Sequence, residues 1–290
     1  VRDPSLYVKM KVKSNEKIIF PENTFFLVWT TTPWTLISNV AVCLGSEINY
    51  KLVLDKVTNQ HYILADSRLQ ILDPENKWEI VNDYKGSELE FVEYERLFDY
   101  LPIDKKCFFA TLGDFVSTTD GTGIVHIAPA FGVDDYEISK KYDLSVINGV
   151  TPGGKFIDLV TDFAGRSVKK IEFDGNIFEG SDKDIIIALK NRDLVFKSSN
   201  DYLHSYPHCW RCNNPIIYYA RDSWYIKATS FSKELVENND KMIKWQPPEI
   251  GAGRFGNWLK EVKDWSLSRD RYWGTPLPIW VSEDNPNDMF

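Results

Sequence analysis

Hydrophobic positions along this chain fall mostly in strict alternation or in short unbroken runs, and both patterns predict strands. Over residues 5–13, Leu6, Val8, Met10 and Val12 alternate with Tyr7, Lys9, Lys11 and Lys13. That reads as a half-buried strand whose basic face is a solvated sheet edge. Residues 25–29 and 40–44 are wholly apolar and bounded by Pro, Asn or Gly, so both read as buried strands. Residues 50–54 and 61–65 flank Lys56-Val-Thr-Asn59 and predict a hairpin, followed by a short helix over 66–72 from an Asp66 cap. Further strands are expected over 78–81, 89–94, 108–112 and 124–127. Helix 133–142 carries Asp134, Asp135 and Glu137 in its first turn and Lys140 and Lys141 in its last, as the helix dipole favours. Residues 143–180 read as loop-rich, with a turn at Phe173-Asp-Gly-Asn176. Ser181 is the expected cap of a helix over 182–191, whose buried stripe is Ile185, Ile186 and Leu189. Strands over 194–196 and 216–226, a polar helix over 231–239 and a short helix over 255–262 complete the pattern.

The dense strands before residue 127 predict a mixed α/β (α+β) fold with a β-barrel-like core of mostly antiparallel strands, decorated by short helices. Pro247-Pro248 and Gly251-Ala-Gly253 mark a boundary. They give a domain over 1–250 and a junction segment over 251–290.

Composition narrows this little. The 290 residues are 43% hydrophobic and 26% charged, ordinary for a globular protein. A net charge of −8 argues against bulk, non-specific nucleic-acid binding, though not against a local basic face for one folded RNA. No apolar run is long enough for a membrane helix. The four cysteines, with a single Cys-x-x-Cys pair, do not make a disulfide framework, so a cytoplasmic setting is expected. The amino end lacks both an initiator Met and a signal peptide's apolar core, which suggests a piece of a longer chain.

Three stretches carry candidate chemistry. The first is Trp29-Thr-Thr-Thr-Pro-Trp-Thr35, with four threonines in seven residues. Pro33 cannot donate a ladder hydrogen bond, so the threonines should sit where a strand gives way to a loop, forming a half-polar pocket wall. The second is Gly121-Thr-Gly-Ile-Val-His126-Ile-Ala-Pro129, continued by Gly132-Val-Asp-Asp135. Its glycines permit positive φ or close backbone approach, but it lacks the elements of a P-loop or dinucleotide site. The third is Cys209-Trp-Arg-Cys212, half of a zinc site, with His204 and His208 nearby. One reading of these residues is a hydrolase with a threonine nucleophile and a Thr/His126/Asp135 triad, acting on a small metabolite. Another is a non-catalytic docking module with zinc on Cys209 and Cys212.

Together with Trp265-Ser-Leu-Ser-Arg-Asp-Arg-Tyr-Trp-Gly-Thr-Pro276, the first two stretches resemble the isoleucyl-tRNA synthetase family over nearly the whole chain and in the family's order. The part resembled is the inserted editing domain, connective peptide 1. Valyl and leucyl relatives carry Thr-Thr-Arg-Pro where this chain has Thr31-Thr32-Pro33-Trp34, and residues 160–165 look like the eukaryotic-cytosolic branch. The resemblance implies hydrolysis of valine from mischarged tRNA(Ile), and possible action on valyl-adenylate. It implies a site in which Thr30, Thr31, Thr32 and Trp34 line the side-chain and ester region. Asp135 would pair with the substrate's α-ammonium, and Trp34 and His126 would exclude isoleucine by bulk. The 3′-terminal adenosine of the tRNA would lie against the Gly121 to Gly123 backbone and nearby aromatics, and Gly121, Thr122, Gly123, Ala128 and Pro129 would bind substrate with Trp34. No cofactor or metal is implied for editing. ATP and Mg2+ belong to a catalytic core whose His-x-Gly-His and Lys-Met-Ser-Lys-Ser motifs are missing here; Lys241-Met242-Ile243-Lys244 is not the latter. The expected partners are the charged 3′ end of tRNA(Ile) and the remainder of the synthetase, with the piece itself monomeric.

Overall fold

The computed structural model describes residues 1–72, 77–269, 274–285 and 288–289. They form two compact units, Val1–Ala220 and Arg221–Phe290, so the Pro247-Pro248 and Gly251–Gly253 signals lie inside the second unit.

The first unit is built on a six-stranded sheet and a three-stranded one. Strands β1 (Arg2–Lys11), β2 (Thr24–Thr30), β4 (Asn49–Asp55), β5 (Gln60–Ala65), β6 (Trp78–Lys85) and β11 (Val195–Leu203) make the large sheet, in the order β11-β1-β2-β5-β4-β6. All its pairings are antiparallel except β2 with β5. The small sheet sets β3 (Ala41–Leu44) between β7 (Ala110–Leu112), which is parallel to it, and β8 (Ile124–Ile127), which is antiparallel. Single bridges, Val12 to Tyr94 and Glu93 to Phe109, join the region between the sheets. The architecture is therefore mixed and mostly antiparallel, and among the described residues the sheets do not close into a continuous barrel.

β2 reads as an unbroken apolar run because both of its faces are covered. Phe26 and Val28 enter the main core, between the sheets and beneath α2 (Asp182–Asn191). Phe25 and Leu27 enter a second cluster with Val53, Tyr62, Leu64 and Leu72. Each such side chain contributes about 1.5–3 kcal/mol by leaving water, so truncating Phe26, which is fully buried, is expected to cost about 3–5 kcal/mol. The predicted hairpin forms as β4–β5, and the predicted helices form as α1 (Val133–Lys141) and α2.

Several expectations need correction. β1 is not an edge, because β11 pairs with its far side. Lys9 is buried there, with Nζ 3.0 Å from Asp193 Oδ2 and 3.0 Å from Gln60 Oε1, over the Phe25 ring. Residues 89–94 form no continuous strand; Phe91 adopts φ 65°, which breaks an extended run, and only bridges flank it. Of residues 216–226 only β12 (Tyr225–Ile226) is a strand, paired with β13 (Trp265–Ser266) in the second unit. Among the described residues the remainder finds no partner strand. Ser181 precedes α2, but its hydroxyl donates to the Ser167 carbonyl and does not cap the helix. The proline in the threonine stretch begins a 3-10 helix, Pro33–Ser38, which alternation could not reveal.

The second unit contains α3 (Ser232–Met242) and α4 (Gly256–Lys260), the latter preceded by a π-helical turn at Gly251–Phe255. No helix among the described residues is long and apolar enough to cross a membrane.

Candidate functional site: a threonine-lined cleft

β2 belongs to the large sheet and β3 to the small one, so the chain crosses between sheets through Thr31, Thr32 and the 3-10 helix. A cleft of about 440 Å³ opens at this crossing. Thr30, Thr31, Thr32, His126 and Asp135 all line it. Gly121, Thr122, Gly123 and Ala128 also line it. The structure thus gathers nine of the eleven expected site residues. Trp34 and Pro129 are not among the lining residues.

Trp34 departs most from expectation. Its side chain is buried in the main core, edge-on to Phe131 with ring centroids 4.7 Å apart, and it is Phe131 that faces the cleft. Pro33 explains this: it starts a tight helix that turns the next side chain inward.

The threonines form a connected network. The Thr32 amide donates to Thr30 Oγ1 at 3.0 Å, and the Thr30 and Thr32 hydroxyls are 3.3 Å apart. Thr35 Oγ1 donates to the Thr32 carbonyl at 2.8 Å, which uses its one hydrogen. The assignment that satisfies this bond together with the 3.0 Å contact to His126 Nε2 has the hydroxyl accepting from the ring. His126 accordingly carries its proton on Nε2, and Nδ1 has no protein partner. β8 sets this geometry by pairing Val42 with His126. Burial pushes the imidazole down to about 4, so it is neutral at physiological pH. Among the described residues, Thr31 makes no hydrogen bond, and its half-buried hydroxyl is free to meet a ligand or water.

Asp135 sits in the first turn of α1. Its Oδ2 accepts from the Ala128 amide at 2.8 Å, tying the end of β8 to the helix. Gly132 leaves room for it: a Cβ there would lie 2.8 Å from the Asp135 Cγ. Burial raises the carboxyl to about 6, against the lowering effect of the Ala128 amide. Among the described residues no basic side chain pairs with it. An ionised carboxylate held so is an attractive partner for a ligand cation.

The glycine loop is packed into place. Gly121 and Gly123 both have positive φ, 64° and 76°, and a Cβ on Gly121 would lie 2.9 Å from the Trp29 ring. Arg68 reaches across from the 3-10 helix Asp66–Ile71 and donates to the Gly121 carbonyl at 2.7 Å and the Thr119 carbonyl at 2.9 Å. Trp29, Phe131 and Phe115 supply apolar lining that the sequence reading did not assign to the site. Trp29 and Thr35 belong to the threonine stretch itself, and this was the available signal.

Cys209 and Cys212 lie on a turn closed by the Asn213 amide to the Cys209 carbonyl. The Cys212 amide holds the Cys209 thiol below its ordinary range. His204 Nε2 faces Asp3 and His208 Nδ1 faces the Tyr206 carbonyl. Among the described residues no group of three or more His, Cys, Asp or Glu side chains could hold a metal.

A strand-built cleft of this kind, entered through a Thr-Thr-Thr-Pro turn and backed by a glycine loop, defines a class that comparison with known proteins identifies. A family model for tRNA synthetases class I (I, L, M and V) matches residues 11–290, and the chain belongs to that family. Among its relatives, the isoleucine--tRNA ligase of Clostridium acetobutylicum is 46% identical over 288 residues, covering 99% of this chain and 26% of that protein. The isoleucine--tRNA ligase of Thermoplasma volcanium is 43% identical over 285 residues, covering 98% of this chain and 26% of that protein. The chain thus spans about a quarter of the length of the curated relatives it matches. Among solved structures, the P. falciparum cytosolic leucyl-tRNA synthetase editing domain covers 70% of this chain and 99% of its own, at 14% identity and a TM-score of 0.45.

Proposed function

We propose that this chain is the proofreading part of an isoleucine--tRNA ligase and that its cleft hydrolyses valine from mischarged tRNA(Ile). The observation that carries the reading is Asp135: a half-buried carboxylate, raised to about 6, that lines one cleft with Thr30, Thr31 and Thr32. Every aminoacyl ester offers an α-ammonium to such a group. Water adds to the ester carbonyl, the bond to the ribose oxygen breaks, and free valine and uncharged tRNA leave. The free Thr31 hydroxyl, beside the Thr30–Thr32 pair, is placed to orient that water. The 3′ end of the tRNA lies along the Gly121–Gly123 backbone beside Trp29. The rest of the synthetase supplies activation and most tRNA contacts, with ATP and Mg2+ used there and no cofactor needed in the cleft.

Such a site answers a limit of recognition. A pocket shaped for isoleucine rejects valine by only roughly 1–3 kcal/mol, and this pair of amino acids is itself the standard illustration of that limit. A second, smaller pocket that admits only valine supplies the missing discrimination. Phe131 and His126, in the cleft, are the residues of bulk on this reading; Trp34 acts from behind.

A threonine nucleophile fits less well. The threonine in contact with His126 is Thr35, and its hydroxyl already donates to a carbonyl while His126 donates to it. The imidazole cannot act as its base in that arrangement. The deciding experiment is deacylation of valyl-tRNA(Ile) by the whole synthetase carrying Asp135→Ala. Loss of hydrolysis with isoleucylation retained is expected, and unchanged hydrolysis would overturn the reading. Trapping of an acyl-enzyme would favour the nucleophile.

A further inference from the structure

Among the buried charged groups of the described residues that the reading above does not use, Asp182, at the first position of α2, reaches back to the threonine turn. It is 5% exposed, and its Oδ1 accepts from the Trp34 amide at 2.9 Å, a contact between residues 148 apart in the chain. Its Oδ2 is 3.4 Å from Lys169 Nζ, which is 3.0 Å from Asp3 Oδ2. Lys169 is itself buried and lies over the Tyr206 ring, and His204 Nε2 completes the group at 3.2 Å from Asp3.

The Trp34 amide is where the threonine turn needs help. In the first turn of the 3-10 helix Pro33–Ser38, Pro33 has no N–H to satisfy and the Thr35 amide bonds to the Thr32 carbonyl at 3.0 Å. That leaves the Trp34 amide as the buried donor without a local acceptor. No side chain caps this helix from within. Asp182 does so from α2, placing one carboxylate at the amino ends of two helices, where the backbone field favours negative charge.

What hangs on that amide is the cleft wall. Thr32 and Thr35 flank Trp34 on either side, and Thr35 carries the contact to His126. The Trp34 indole backs Phe131, which faces the cleft. A shift of the Trp34 peptide would therefore move the hydroxyl network and the apolar lining together.

We propose that Asp182 is a positioning residue for the proposed deacylation: it pins the Trp34 peptide and thereby fixes Thr32, Thr35 and His126 in register with Asp135. The proposal rests on the proofreading reading above. Asp182 does not touch the substrate. Lys169 orients the carboxylate and favours its charged form, against burial and the Asp3 charge, which together raise it to about 6; the pin itself is the Asp182 oxygen on the Trp34 amide.

The test uses the full synthetase with Asp182→Ala, Asp182→Asn and Lys169→Met. Deacylation of valyl-tRNA(Ile), isoleucylation, thermal midpoint and hydrogen exchange of residues 31–38 are read for each. Asp182→Ala is expected to lower the kcat of deacylation at least about tenfold, with KM within about twofold, since small displacements of oriented groups carry penalties of that order. Asp182→Asn retains an acceptor oxygen and is expected to recover to within about threefold. Exchange over 31–38 should quicken in Asp182→Ala and not in Asp182→Asn. If all three variants lose deacylation and thermal midpoint alike, Asp182 is only half of a structural ion pair and the proposal falls. If Asp182→Ala deacylates like the parent, it falls as well. If the parent itself does not deacylate, the proofreading reading fails, and the exchange of residues 31–38 decides the pin separately: unchanged exchange in Asp182→Ala overturns it.

Discussion

Thr35 Oγ1 lies 2.8 Å from the Thr32 carbonyl and 3.0 Å from His126 Nε2, so one hydroxyl both donates to the turn and accepts from the ring. The tautomer that satisfies both contacts carries its proton on Nε2. Nitrogen shifts of His126 are expected to show a protonated Nε2 and a bare Nδ1, and to stay so down to about pH 4, where burial has moved its titration. Thr35→Val keeps the shape of the side chain but leaves the Nε2–H without an acceptor. It is expected to cost about 1–3 kcal/mol of stability and to slow deacylation, checked by denaturant midpoints and single-turnover hydrolysis.

Asp135 is expected to be a stability liability. Its folded value, about 6, is raised above the ordinary 3.8 by burial. The folded state therefore holds the proton more tightly than the unfolded one. The stabilising contribution is complete below about pH 4 and is lost as pH rises through 6. Asp135→Asn mimics the protonated form at every pH. Relative to the parent, its stability should rise between pH 4 and pH 7, measured by urea unfolding at the two ends. The same variant should lose most valyl-tRNA deacylation, because a neutral amide does not hold an ammonium. A residue that costs stability and whose removal costs activity is a functional one.

The pH profile of deacylation follows first from Asp135. Ionised Asp135 is the binding form, so activity should climb as pH rises through about 6 and then level. His126, pushed down to about 4, should add no limb between 6 and 7. Rates measured from pH 5 to 8 test this: an acid limb that survives in Asp135→Asn would assign it to Asp182, whose carboxyl burial also raises to about 6.

How much of this could be read from the sequence depended on whether the signal was local. β2 and β3 were legible because strands covered on both faces are apolar throughout. α1 was legible from the charges at its two ends. The cleft was legible in outline, since the threonine turn and the His126–Asp135 segment are each compact motifs. Trp34 was misjudged because whether a side chain faces a pocket or the core depends on a 3-10 turn that hydrophobic alternation does not encode. Lys9 was misjudged for a related reason: its neighbour β11 is far along the chain, and nothing near Lys9 announces it. Asp182 was legible only as the start of a helix, and its partner, the Trp34 amide, carries no side-chain signature at all.

Gly132 offers a way to disturb the site without altering any group that would meet substrate. Its φ of −149° is extended backbone that any residue adopts, so alanine brings no backbone strain. The added Cβ, however, would sit 2.8 Å from Asp135 Cγ and 2.9 Å from its Oδ1. The clash is with a short side chain at the edge of a cleft, which can turn away more easily than backbone can move. Turning breaks the Asp135 bond to the Ala128 amide and withdraws the carboxylate from its place in the cleft lining. Gly132→Ala in the whole synthetase is thus expected to cost no more than about 1 kcal/mol of stability, and to lower valyl-tRNA deacylation by about tenfold to a hundredfold while leaving isoleucylation intact. Deacylation at the parent rate would mean that the ammonium is met by some group other than Asp135.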